Sequence, residues 1–173
     1  AVANSNVSLQ ATNDIRFEAA LNIANPGVTL TAIAGNDIQV SNNILYPAGG
    51  DVIFAAGNTV EFAGTDAVLE TRGGDISIAT NQLLMANDAQ ISASTFGIGD
   101  GGVIEINATD RIQLDSSDIY SSASAGDGNA GEIQISTRQL LMRDGAQVGV
   151  GTFSSGDGQC NWPNSTEWDF STC

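Results

Sequence analysis

Three aspartates occupy matching turns along the second half of the chain: Asp100 in GIGDGG, Asp127 in SAGDGN and Asp157 in SSGDGQ. Carboxylates carried at one corner of stacked coils would lie about 4.8 Å apart. That spacing repels unless a counter-charge intervenes. Calcium is the hard cation such a column could admit, with carbonyls and water completing a shell of about six to eight oxygens. The other reading of the same residues is a solvated aspartate that supports its own turn.

A second set of carboxylates, Glu105, Asp110 and Asp115, lies close together in sequence. Acid and base work on a glycosidic bond needs two carboxyls facing each other across the substrate, and proximity along the chain does not supply that. A lyase acting on acidic sugars would also need clustered cations to stabilise an enolate. The chain has no lysine, and its five arginines, Arg16, Arg72, Arg111, Arg138 and Arg143, fall mostly in turns. With no histidine anywhere, the usual triads and histidine metal sites are excluded. No catalytic residue is assigned, and a polysaccharide-active enzyme stays a remote alternative.

The two cysteines, Cys160 and Cys173, bracket CNWPNSTEWDFSTC. The simplest reading is one disulfide closing a terminal loop in an oxidising compartment. Two thiols without histidine would leave a zinc shell half empty. Asn164-Ser165-Thr166 matches the glycosylation acceptor pattern, a short and common match.

The elements that must position these groups are short strands. Three apolar pairs recur with period two and are separated by polar turns. The first pair reads Val7/Leu9, Val28/Leu30, Val52/Phe54, Ile76/Ile78, Ile104/Ile106 and Ile133/Ile135, with starts 21, 24, 24, 28 and 29 residues apart. The second reads Ile15/Phe17, Ile38/Val40, Val60/Phe62, Leu83/Met85, Ile112/Leu114 and Leu140/Met142. A looser third position falls at Ile23, Ile44, Val68, Ile91, Ile119 and Val148. A single coil cannot bury its own apolar edges, whereas stacked coils supply each other with backbone partners and an apolar floor. The expected fold is therefore all-β: a single-stranded parallel β-helix of about six three-faced coils over residues 1–159, then a short disulfide-closed tail over 160–173.

Between the first two pairs a polar column reads Asn13, Asn36, Asn58, Asn81, Asp110 and Arg138. Asparagine suits a left-handed turn and an amide ladder from coil to coil, and Asp110 and Arg138 would stack as an exposed ion pair of little energetic weight. QLLMANDAQISASTFGIGDGG from Gln82 matches QLLMRDGAQVGVGTFSSGDGQ from Gln139 in register, 57 residues and hence two coils later. The period grows mainly in the last turn of each coil, so one corner carries the loops. Phe96, Tyr120 and Phe153 mark it as a surface for glycan or protein contacts. After Gln159 the pattern stops. Trp162, Trp168 and Phe170 then read either as a cap over the last coil or as an aromatic recognition tail. At the other end, Ala1 to Asn6 has no cap-like pattern, which suggests either more protein upstream or an edge open to another subunit.

The net charge of −15, from 20 acids against five arginines, makes nucleic acid and anionic membrane surfaces poor partners. No apolar run is long enough to insert into a membrane, and the amino terminus has no signal-like pattern. A secreted location, extracellular or at the cell surface, is expected.

The motif GGxIxI, followed by L-x-M/L, G/D-A-Q-I/V, S/G-T-F and GDGG, resembles the repeats of filamentous-haemagglutinin-like exoproteins of two-partner secretion, especially cyanobacterial ones. The similarity is best from Gly73 to Gly158. It implies a right-handed parallel β-helix, export through a dedicated outer-membrane partner pore, and adhesion or filament building. The terminal cysteine pair is similar to the carboxyl ends of some such adhesins, where it helps retain the protein at the pore. Three functional readings follow: a fibre subunit or segment that stacks end to end on itself, an adhesin stalk binding through the long-loop corner, and, remotely, an ice-binding solenoid. The last would need a regular threonine array, but Thr12, Thr80, Thr109 and Thr137 are interrupted by Gly35 and Gly57. No cofactor is expected beyond the calcium considered above.

Overall fold

The computed structural model of the chain describes residues 5–65, 67–124 and 128–152. They form a β-solenoid of about six turns in which every strand pairing is parallel. The first coil holds β1 (Val7–Ala11), β2 (Ile15–Phe17) and β3 (Leu21–Asn22). The second holds β4 (Leu30–Ala34), β5 (Asp37–Val40) and β6 (Ile44–Leu45). The third holds β7 (Val52–Ala56), β8 (Thr59–Phe62) and β9 (Val68–Glu70). In the later coils the first two strands merge. These coils contain β10 (Ile76–Met85) with β11 (Gln90–Ser92), β12 (Val103–Asp115) with β13 (Asp118–Ala123), and β14 (Glu132–Arg143) with β15 (Gln147–Thr152).

Alternation along each strand sends one set of side chains into a continuous core, as period two requires. β4 buries Leu30, Ala32 and Ala34, and β8 buries Val60 and Phe62. Phe17 and Phe54 stack inside with ring centroids 5.6 Å apart. At both ends of the described stack the same columns lose their cover. Leu9 is 37% exposed, Leu140 43% and Met142 39%, where residues of the middle coils in the same columns are almost fully buried.

The second apolar pair stacks in the register read from the sequence in all six coils. The first pair differs in one coil. Val7 pairs with Leu30, not Val28, and Leu30 pairs with Val52, so coil two contributes Leu30/Ala32. The starts Val7, Leu30, Val52, Ile76, Ile104 and Ile133 are then 23, 22, 24, 28 and 29 residues apart. A slip of two residues keeps every side chain on its own face, so apolar alternation cannot detect it. The third column needs two corrections: it holds Leu21 in place of Ile23, again a slip of two, and Leu69 in place of Val68, a slip of one that moves the position to the buried face. Ile23 is buried too, two residues past Leu21 and just beyond the end of β3.

The corner between strands one and two also departs from expectation. Thr80 pairs with Ala108, and Gln82 with Arg111, so Thr109 and Asp110 together face the single Asn81. The same two face the single Arg138 on the other side. This one-residue bulge breaks the column, and Arg138 does not pair with Asp110. Among the described residues the ion pairs are Arg16–Asp14 and Arg72–Glu70. The boundary at Gln159, the tail 160–173 and the Cys160–Cys173 pairing lie outside the described residues.

Glycine is required where coils touch. A Cβ on Gly50 would meet the Val28 carbonyl oxygen at 2.5 Å, one on Gly74 the Gly50 oxygen at 2.2 Å, one on Gly102 the Gly74 oxygen at 2.2 Å and one on Gly131 the Gly102 oxygen at 2.0 Å. This column forms the corner between the third strand of one coil and the first strand of the next.

Candidate functional site

The acids of this chain are positioned by the corners, and most of those in contact act on the neighbouring coil. In eight places a carboxylate or carboxamide oxygen of one coil accepts the backbone N–H at the matching position of the next coil. Asn6 takes Thr29 N–H at 3.0 Å, Asp51 takes Asp75 N–H at 3.0 Å, and Asp75 takes Val103 N–H at 2.8 Å, all in one column. In a second column Asp14 takes Asp37 N–H at 3.3 Å and Asp37 takes Thr59 N–H at 3.0 Å. Asn43, Asp100 and Asp118 do the same for Val68, Asn129 and Gln147. These bonds occupy donors at the corners and strand starts, with Gln147 N–H shared between Asp118 and the Ser117 carbonyl, and all eight point the same way along the axis.

This arrangement replaces the expected amide ladder. Asn13, Asn36 and Asn58 do stack, through backbone bonds of 2.9 Å. Their side-chain amides do not join one another. Asn36 Nδ2 donates to Asp14 and Asp37, each at 2.9 Å, and Asn58 Nδ2 donates to Asp37 at 2.9 Å. An amide next to an ionised carboxylate makes the stronger, charge-assisted bond, and so the aspartate one residue on wins the donor. Asn81 accepts from the Thr109 hydroxyl at 2.8 Å, and Asp110 lies 3.5 Å from Gln82 Nε2. The Asn36 amide, helped by the Asp37 N–H and by Arg16, holds Asp14 below the usual carboxylate range. Its share of stability is therefore present above the ordinary carboxylate pKa of about 3.9 and lost as pH falls through the lowered value.

Asp75→Ala, which leaves Val103 N–H without its acceptor, is expected to lower stability by about 1 kcal/mol, while Asp75→Asn keeps an acceptor oxygen and much of that stability. Chemical denaturation of the two variants checks this, and equal losses would show that the bond is not what the carboxylate contributes.

Asp100 belongs to this class: its Oδ1 accepts both the backbone N–H of Asn129, at 2.8 Å, and its side-chain amide, at 3.2 Å. Asp127 and Asp157, the other members of the candidate calcium column, lie outside the described residues. Among the described residues, no group of three or more histidine, cysteine or acidic side chains is placed to hold a metal ion. Glu105, Asp110 and Asp115 are spread along β12 and do not converge. Glu105 stands on the outer face, Asp110 in the bulge, and Asp115 at the far end, where Oδ2 takes Gln113 Nε2 at 2.7 Å. The threonines form no outer array, since Thr80 is buried, its hydroxyl donating to backbone oxygens of Asn58 and Gln82.

The long-loop corner does present apolar surface. Phe96 is 53% exposed and Ile98 95% exposed, and the Arg72 guanidinium sits 5.5 Å from the Phe96 ring centroid while bonding Glu70 at 2.6 Å. Tyr120 lies on the outer side of β13 and donates its hydroxyl to Gln90 Oε1 at 3.1 Å. Phe153, Trp162, Trp168 and Phe170 lie outside the described residues. Two features that the sequence reading missed are Ile98 and Arg72; the Ile98 signal was a lone large apolar residue inside a glycine-rich loop.

Inside the same corner Tyr46 is fully buried, and its hydroxyl lacks a well-formed hydrogen bond: the nearby Leu30 N–H, which acts on it only as a minor influence, is donated to the Asp51 carbonyl at 2.9 Å. Burial, and then the charge of Asp51, push its phenol well above the usual range. A phenol raised in the folded state contributes stability below the unfolded value of about 10 that is lost as pH rises beyond it. Tyr46→Phe should therefore be neutral at pH 7 or stabilising by up to about 2 kcal/mol, and should reduce the loss of stability above about pH 10. Melting temperatures across that range test it; a clear loss at neutral pH would mean the hydroxyl has a partner.

Compared with known proteins, the chain matches no family model, no curated protein and no solved structure.

Proposed function

We propose that this chain is a non-catalytic structural protein, a segment or subunit of a secreted extracellular fibre or surface filament that extends by stacking coil on coil. The observation that carries the reading is the state of the two ends: Leu9 on the first coil, and Leu140 and Met142 on the last described one, belong to core columns yet stand 37%, 43% and 39% exposed. A further coil would bury those side chains and pair the edge strands beside them. The axial bonds favour the same reading. The eight corner bonds from side-chain oxygens to backbone N–H groups all run one way, so the two edges of the stack are not alike, and stacking of like on like would be head to tail and open-ended. The reading includes a right-handed winding, a Cys160–Cys173 disulfide and export through an outer-membrane partner, as the resemblance to filamentous-haemagglutinin-like exoproteins implies. Electron microscopy and sedimentation at rising protein concentration test it. Rods that lengthen with concentration are expected, and a species that stays a single rod at every concentration would exclude self-stacking.

A second reading, an adhesin stalk, is favoured by the exposure of Phe96 and Ile98 beside Arg72 on the long-loop corner. Loss of surface or receptor adhesion on Phe96→Ala with Ile98→Ser, with rod formation unchanged, would support it.

A further inference from the structure

The outer face of the second strand column carries an axial row, Arg16, Gln39, Glu61, Leu84, Gln113 and Leu141, one residue from each coil in strict register. Two shallow, open depressions, of about 190 and 300 Å³, lie along it and adjoin at Glu61 and Leu84, together outlining a trough. We propose that this trough binds an extended, uncharged polyhydroxylated chain, a neutral glycan, lying parallel to the solenoid axis.

Charge selects the ligand class. Arg16 lies in the first depression beside Asp14, Asp37 and Glu61, and Arg111 lies in the second beside Glu61 and Asp115. A polycation meets a guanidinium in each depression, and a polyanion meets these carboxylates within a chain of net charge −15. Sugar hydroxyls both give and accept hydrogen bonds, so they suit a wall on which donors and acceptors alternate at close spacing. That alternation is already ordered. Gln39 Nε2 bonds Glu61 at 3.2 Å, Gln113 Nε2 bonds Asp115 at 2.7 Å, and Arg111 Nε bonds Gln82 Oε1 at 3.1 Å. Arg111 lines the second depression, and its one side-chain hydrogen bond among the described residues is made by Nε. Leu84, half-buried between the two depressions, offers an apolar surface for the C–H face of a sugar ring.

Geometry selects an extended chain. Neighbouring parallel strands are about 4.8 Å apart, comparable to the advance of one hexose along an extended glycan. Successive sugar units would therefore meet successive coils, and affinity should grow with chain length.

The test is titration calorimetry of the whole chain, at a concentration where it is monodisperse, against uncharged hexose oligomers from disaccharide to octasaccharide in several linkages, with oligogalacturonate as the anionic comparison. Neutral oligomers are expected to bind more tightly as they lengthen, and oligogalacturonate to bind more weakly or not at all. Arg111→Ala combined with Gln113→Ala should weaken binding by about tenfold or more, without lowering the melting temperature by more than a surface change would. Phe96→Ala, on the loop corner, should leave binding unchanged. No binding of any neutral oligomer at millimolar concentration, preference for the anionic oligomer, or undiminished binding by the double variant would each overturn the proposal. None of these outcomes depends on whether the rods stack end to end.

Discussion

Gly74→Ala is expected to cost about 3 kcal/mol and to split the unfolding of the solenoid into two steps. The added Cβ would sit 2.2 Å from the Gly50 carbonyl oxygen and 2.6 Å from the Gly50 carbonyl carbon. Both are backbone atoms, so no side-chain rotation relieves the contact. The coils must move apart at that corner, and the axial bonds nearby, Asp75 N–H to Asp51 at 3.0 Å and Val103 N–H to Asp75 at 2.8 Å, lengthen with them. In a solenoid each coil is held chiefly by its neighbours, so weakening one interface uncouples the coils on either side instead of unfolding the whole rod at once. Gly149→Ala is the control. A Cβ there meets nothing within 4 Å, and the substitution is expected to be neutral or stabilising by about 0.5 kcal/mol. Urea unfolding followed by circular dichroism distinguishes the two. A single transition for Gly74→Ala, at the same midpoint as Gly149→Ala, would mean that contact between coils does not explain the glycine column.

That column shows why the architecture was legible and its fine register was not. Apolar pairs at period two announce strands, and their recurrence announces stacking; five of the six first pairs and all six second pairs fall where the sequence puts them. Coil two slipped by two residues because Val28, Leu30 and Ala32 all alternate on one face and are all buried. The interval between the first and second strands was the better ruler. It is eight residues from Val7 to Ile15, Leu30 to Ile38 and Val52 to Val60, whereas the slipped register makes it ten in coil two.

The acids were harder to read, because composition gives their number and not their partners. Twenty carboxylates look like excess surface charge, a metal column or catalytic groups. Eight Asp and Asn side chains instead close the gaps that turns leave in a parallel ladder. The signal was present as Asp following the column glycine in Gly50-Asp51 and Gly74-Asp75, and as Asp following Asn in Asn13-Asp14 and Asn36-Asp37. Its meaning depends on which N–H lies across the coil gap, and that depends on the register. The trough on the second strand face was invisible for the same reason, since Arg16, Glu61 and Gln113 become neighbours in one row only once six coils are aligned.

Phe54→Ala is expected to be the most damaging single truncation in the described core, at about 3 to 5 kcal/mol. Phe54 is fully buried, pairs with Ala32 on one side and Ile78 on the other, and stacks on Phe17 at a centroid distance of 5.6 Å. The small Ala32 on the adjoining coil makes the room that the ring fills. The adjacent Ile53 points outward and is 41% exposed, so Ile53→Ala tests the same strand without a cavity and should cost under about 1 kcal/mol. Because coils are coupled mainly to their neighbours, amide exchange protection in Phe54→Ala should fall most in coils one to four and least in β14 and β15. Uniform loss across all six coils would mean that the rod unfolds as one unit, with coupling along the axis far stronger than nearest-neighbour stacking provides.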